Sequence, residues 1–196
     1  PPRSTLFPYT TLFRSEHVMR RSLAILLLVA AFTVQAKGPK VGKISCGFDN
    51  LHLFVTFSLS DGFLSQDVLD AINSTKPTTF TYEVEVAKKR TGWFDKTIGR
   101  RVVEKTVTYD NLTRQYDLVT AVDGEEKEKI SLTSVEEVEE SLKGMTALDM
   151  GSVVDLSPGE RAYYIRVRVT LLKNFVLWII PSDEDTGWTE KELKTP

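Results

Sequence analysis

Cysteine occurs once in the 196 residues, at Cys46, and histidine twice, at His17 and His52. A lone cysteine excludes an internal disulfide frame. So few His and Cys donors exclude the usual transition-metal sites, which draw several such ligands at set spacings. A Ser–His–Asp or Cys–His relay would have to run through His52, because His17 falls in an N-terminal extension that is no part of the fold. Glycine (11) and proline (8) are too scarce for a collagen or a low-complexity chain. A strong basic excess is missing as well: 25 Lys and Arg stand against 27 Asp and Glu, which argues against a general nucleic-acid binder. Nucleophile-elbow, phosphate-cradling and dinucleotide motifs are all absent. What is present, at 41% hydrophobic residues, is enough for one ordinary globular core.

The N-terminus needs separating from the fold. Thr5 to Ser15 (TLFPYTTLFRS) match the in-frame translation of a sequencing adapter, so residues 1–18 are read as an upstream extension without biology. From Met19 the order is that of a secretory signal: Arg20 and Arg21, then the apolar run Leu23–Phe32, then Val34-Gln35-Ala36 before a cut. The run is about half of the roughly 20 apolar residues a membrane span requires. Residues 19–36 are therefore expected to be a signal peptide, and 37–196 a single β-rich domain without a transmembrane helix. From Lys37 onward 21 basic residues face 26 acidic ones, a mildly acidic balance.

Period-two patterning dominates this domain. Ile44, Cys46 and Phe48 share one side of a short strand. Leu51, Leu53, Val55, Phe57 and Leu59 share another, with His52, Thr56 and Ser58 opposite. Phe80, Tyr82, Val84 and Val86 alternate with Thr79, Thr81, Glu83 and Glu85. Val103, Val107 and Tyr109 repeat the scheme, interrupted by Lys105. Leu112, Tyr116 and Leu118 form a less regular strand running to Val122. Tyr163, Ile165, Val167, Val169 and Leu171 give the cleanest case, with Tyr164, Arg166 and Arg168 facing away. Apolar-in, polar-out alternation belongs to antiparallel sheets with one wet face.

Turn signals agree with this reading. Asp123-Gly124 is a two-residue hairpin signal, Asp61-Gly62 closes the Leu51 strand, and Ser157-Pro158-Gly159 launches the Tyr163 strand. Ser65 caps one predicted helix burying Val68, Leu69 and Ile72. Ser134 with Glu137 makes a capping box for a second, which buries Val135, Val138 and Leu142 and stops at Gly144. The expected fold is mainly β: a single antiparallel β-sandwich of about eight strands with two short helices.

Carboxylates are plentiful, but no pair stands out by its setting, and Asp183-Glu184-Asp185 lacks the spacing of a calcium loop. No metal or cofactor is expected. Two features rise above this background. Lys88, Lys89, Arg90, Trp93, Phe94 and Lys96, followed by Arg100 and Arg101, would gather six cations and two large aromatics near one hairpin tip. Such a tip suits an anionic partner, with Trp93 as an amphipathic anchor. Alternatively, the two rings fold back on the sheet and the cations keep an edge soluble. The second feature, Phe175 to Ile180 (FVLWII), reads as a strand buried on both faces or as a docking patch.

Particular motifs carry a resemblance. Phe57, Leu59, Ser60 and Asp61 (F-x-L-S-D) precede a helix, and Trp93, Phe94 and Asp95 (W-F-D) follow. Tyr109, Asp110, Leu112, Thr113, Arg114 and Tyr116 (Y-D-x-L-T-R-x-Y) come next, then Pro158-Gly159-Glu160-Arg161, the R-V-R strand Arg166–Arg168, and Gly187-Trp188. With these the chain resembles the bacterial family called domain of unknown function 4390, over roughly Val41 to Glu192. In the Y-D-x-L-T-R-x-Y corner, Asp110 and Asn111 are expected to turn, Leu112 and Tyr116 to return to the core, and Arg114 to face water or a partner. The resemblance implies a small exported envelope protein with no catalytic residues to carry over, and a link to envelope sensing. The expectation is thus an exported, periplasmic, non-catalytic binding or accessory module for an envelope protein or an anionic envelope component. Its surface would be Lys88, Lys89, Arg90, Trp93, Phe94, Lys96, Arg100, Arg101 and Arg114. A carboxylate-dependent glycan hydrolase and a lipid-contacting structural subunit are the alternatives.

Overall fold

Alternation along the chain is realised as ten strands and two helices in the computed structural model, which describes residues 39–152, 156, 162–176 and 180–194. The adapter-like stretch, the signal segment, the Ser157-Pro158-Gly159 turn, Glu160 and Arg161 lie outside the described residues. The strands are β1 (Ser45–Asp49), β2 (His52–Ser58), β3 (Thr78–Lys88), β4 (Lys96–Asp110) and β5 (Gln115–Val122). They continue with β6 (Glu125–Leu132), β7 (Gly144–Ser152), β8 (Tyr163–Val176), β9 (Ile180–Asp185) and β10 (Thr189–Glu192). The helices are α1 (Gln66–Ile72) and α2 (Val135–Leu142). Among the described residues no helix is long and apolar enough to cross a membrane.

All pairings between strands are antiparallel. One sheet runs β1-β2-β7; the larger runs β10-β8-β3-β4-β5-β6, with β9 also paired to β8. The two sheets pack face to face as a β-sandwich. Leu53, Val55 and Phe57 from the small sheet share one core with Tyr82, Val84, Val103, Ile165 and Val167 from the large one. The rings of Phe57 and Tyr82 meet across it at 6.2 Å. Both margins of the small sheet are tied down. Lys191 of β10 donates to the carbonyl of Ile44 just before β1 (2.7 Å), and Arg101 of β4 donates to the carbonyl of Asp149 in β7 (3.2 Å).

The small sheet is too narrow to cover the larger one, and the helices extend the cover. Val68 and Ile72 of α1 and Val138 and Leu142 of α2 are buried in the same core. Ser65 Oγ accepts from Val68 N and Ser134 Oγ from Glu137 N, as their sequence positions predict. Lys105, which breaks the apolar alternation of β4, closes the end of α2. Its Nζ donates to the carbonyls of Ser141 and Gly144 and lies 5.3 Å from the Tyr82 ring centre. Burial pulls its pKa down to about 8. Tyr82 Oη donates to the Leu142 carbonyl at 2.6 Å, so a polar knot inside the core anchors the helix end. Gly144 then lets β7 approach β2, since a Cβ there would lie 2.2 Å from the Phe57 carbonyl oxygen.

The expected mainly β antiparallel sandwich with two short helices stands; among the described residues it holds ten strands, of which β7, β9 and β10 carry weak alternation. Two expectations need correcting. Leu51 belongs to the β1–β2 turn, with φ of 66° next to Asn50 at 46°, and is exposed rather than inward-facing. Leu112 is 95% exposed at the β4–β5 turn. There Asp110 uses its carboxylate to accept from Leu112 N (2.8 Å), holding the loop outward. Of the Phe175 to Ile180 run, Phe175 and Val176 end β8 and Ile180 opens β9, while Leu177, Trp178 and Ile179 lie outside the described residues. Asp123-Gly124 makes the predicted β5–β6 turn, with φ of 51° and 84°.

Candidate functional site

The β3–β4 hairpin is long because both strands are well suited to a sheet, and its last paired residues are Lys88 and Lys96. A bulge between Val86 and Ala87 bends it just before the loop. Gly92, with φ of 74°, turns the chain in the left-handed region that favours glycine. Immediately after it, Trp93 is 76% and Phe94 90% exposed. The rings do not fold back on the sheet.

Beneath them the loop is clasped at its base. Asp95 accepts from Tyr164 Oη (2.8 Å) through one carboxylate oxygen and from Arg90 N (3.1 Å) through the other. Those hydrogen bonds, the tyrosine's first, hold the Asp95 carboxyl below its usual range. Burial and the neighbouring Asp95 push the Tyr164 hydroxyl up to about 12. Lys89 N donates to the Ala162 carbonyl (2.7 Å). The ammonium groups of Lys88 and Lys89 lie 5.3 Å from the ring centres of Tyr163 and Tyr164. Sequence reasoning missed Tyr163, Tyr164 and Asp95 as parts of the tip. Their signal lay in the register, which sets Lys88 opposite Tyr163 and Ala87 opposite Tyr164.

Lys88, Lys89, Arg90, Trp93, Phe94 and Lys96 therefore come together. Arg100, Arg101 and Arg114 do not join them. Arg100 stands on the outer face of the large sheet, where it pairs with Glu83 and lies 3.6 Å from Glu85. Arg101, one residue on, points to the opposite face and bonds Asp123 at 3.2 Å as well as the Asp149 carbonyl. Arg114, exposed and at φ 57°, sits in the β4–β5 turn, beyond the far end of a 15-residue strand. That is roughly 45 Å from the tip at strand rise.

A second cluster covers the outer face of the large sheet. Glu83 and Glu85 are only 8% and 7% exposed, although they face outward. Arg168 pairs with Glu83, Arg166 pairs with Glu85 at 2.6 Å, and Arg100 reaches both glutamates. Trp188 lies over the guanidinium groups of Arg166 and Arg168, at 4.6 and 4.7 Å. Burial pushes the Glu83 carboxyl up, but the hydrogen bonds and charges of Arg168 and Arg100 outweigh it and hold the pKa low.

Among the described residues, recesses lie behind the tip. One, between the sheets, is lined by Leu53, Val86, Ile98, Met150 and Leu156 together with Gly99, Gly151 and Ser152, none of them acidic. Another is lined by Lys89, Tyr163, Tyr164, Glu190 and Glu192. His52 is exposed on β2, its Nδ1 3.1 Å from both carboxylate oxygens of Asp149. Among the described residues, no group of three His, Cys, Asp or Glu side chains is arranged to hold a metal ion.

A family model described as domain of unknown function (DUF4390) matches residues 38–174. The chain belongs to this family. The match spans both the hairpin tip and the β3–β4–β8 part of the sheet face, and ends before Trp188. The chain matches no curated protein and no solved structure.

Proposed function

We propose that this family member is an exported, non-catalytic binding or accessory module of the cell envelope, and that the β3–β4 tip is its contact surface for an anionic partner. The observation that carries this reading is the exposure of Trp93 and Phe94 side by side among four cations on an acidic chain. A soluble domain gains nothing in stability from two rings in water, whereas large aromatics ringed by charge are typical binding anchors. Export rests on the Arg20-Arg21 and Leu23–Phe32 order of the N-terminus. Against the glycan-hydrolase alternative, every described carboxylate with a displaced pKa is displaced downward, whereas a glycosidase acid is held protonated by a raised pKa.

Site-specific photocrosslinking in intact cells tests the proposal. A crosslinker at position 93 is expected to capture an envelope component that one at position 112, also on an exposed turn, does not. Identical capture at both positions, or capture of cytoplasmic components alone, would overturn it.

A further inference from the structure

The geometry of the tip narrows the class of partner, an inference that rests on the tip's being the contact surface. We infer that the β3–β4 tip docks on an anionic phospholipid surface, with Trp93 and Phe94 entering the interfacial layer and the hairpin cations facing the headgroups. The two rings occupy an apex, beyond the last paired residues of the hairpin, and neither the recess lined by Met150 nor that lined by Glu190 includes them. An apex suits a layer that yields around it, and the rim of a bilayer is where tryptophan's amphipathic ring is favoured.

The cations form a collar below the apex on both legs: Lys88, Lys89 and Arg90 on one, Lys96 on the other. Lys88 and Lys89 are braced against Tyr163 and Tyr164, so their charges are held at the base of the loop rather than spread along the sheet. Residues 88–96 carry four cations against one acid, Asp95, whose carboxylate accepts from Tyr164 Oη and Arg90 N, so the collar keeps a positive excess. The acids Glu190 and Glu192 stand on β10, opposite Arg166 and Tyr164, and line the recess that Lys89 borders. On a chain that is acidic as a whole, this local reversal of sign matches an anionic lipid surface.

The test uses the full chain with vesicles of phosphatidylglycerol or phosphatidylcholine carrying brominated acyl chains. Tryptophan emission is compared with that of Trp93→Phe, so that the difference reports Trp93 alone. Binding through the N-terminal apolar segment is common to all variants and cancels in the comparison. Trp93 is expected to be quenched on phosphatidylglycerol, to be nearly unquenched on phosphatidylcholine, and to recover in high salt. Lys88→Glu/Lys89→Glu/Arg90→Glu should weaken vesicle binding about a hundredfold, as expected for three lost cation–headgroup contacts. If that variant does not fold, Arg90→Gln/Lys96→Gln, both exposed, replaces it with an expected loss of roughly tenfold or more. Equal quenching on both lipids, or no quenching on either, overturns lipid docking. Capture of an envelope protein at position 93 without quenching also overturns it but leaves the envelope-binding reading standing. If position 93 neither crosslinks nor is quenched, both fall.

Discussion

Two regions of the same large sheet use the same residue types to opposite ends. On the outer face, Arg100, Arg166 and Arg168 are pinned by Glu83 and Glu85, and Trp188 covers two of the guanidinium groups. At the β3–β4 tip a similar set of cations surrounds Trp93 and Phe94, yet the rings stand in water and the one acid is engaged by a tyrosine. Composition does not separate these clusters. Register does: β3, β4 and β8 place Glu85 directly between Arg100 and Arg166, whereas at the tip the register ends with Lys88 between Lys96 and Tyr163. Charge paired across a sheet serves stability, and cations gathered beside exposed rings are what a partner can use.

The sharpest way to break this comparison is to remove the acid that joins the arginines. Glu83→Gln is expected to lower unfolding free energy by about 2 kcal/mol, because charge-assisted bonds to Arg100 and Arg168 are lost on a nearly covered face. The loss should depend on pH. Since the folded-state pKa of Glu83 is lowered, its contribution is present above the ordinary carboxylate range and disappears as pH falls through the lowered value. Denaturant titrations of both proteins should therefore converge in acid. Equal stability at neutral pH would show that the face is not a clamp.

Trp188→Ala comes next, with an expected cost of about 1 kcal/mol from the lost stack over Arg166 and Arg168, read from the urea midpoint. Tyr164→Phe probes the seam between the regions by freeing Asp95. Amides of residues 90–96 should exchange faster with solvent while those of β8 stay protected; uniform change along β8 would assign Tyr164 to the sheet instead. The smallest expected effect belongs to Trp93→Ala/Phe94→Ala, within about 0.5 kcal/mol of the parent, because exposed rings contribute little to folding.

Much of the frame was legible from residue order. The alternation in β3 and β8, the Asp123-Gly124 turn and the Ser65 and Ser134 caps arise from local physics, and each stands where expected. What was not legible depends on contacts distant in sequence. β7 hides behind bulges and a positive φ at Ala147, so its inward residues, Leu148 and Met150, are too few to announce a strand. Lys105 reads as an interruption until α2 supplies carbonyls for it. Arg100 and Arg101 are neighbours that a strand sends to opposite faces, and Arg114 is separated from both by the length of β4. Only the six residues of the hairpin's own loop and stems could be grouped correctly without knowing how β4 pairs.

The most direct test of the division of labour is the envelope-bound fraction of Trp93→Ala/Phe94→Ala in cells, measured on protein whose melting temperature matches the parent. The double variant is expected to be folded, exported and released from the envelope fraction. Retention at the parental level in that folded protein would contradict this division of labour.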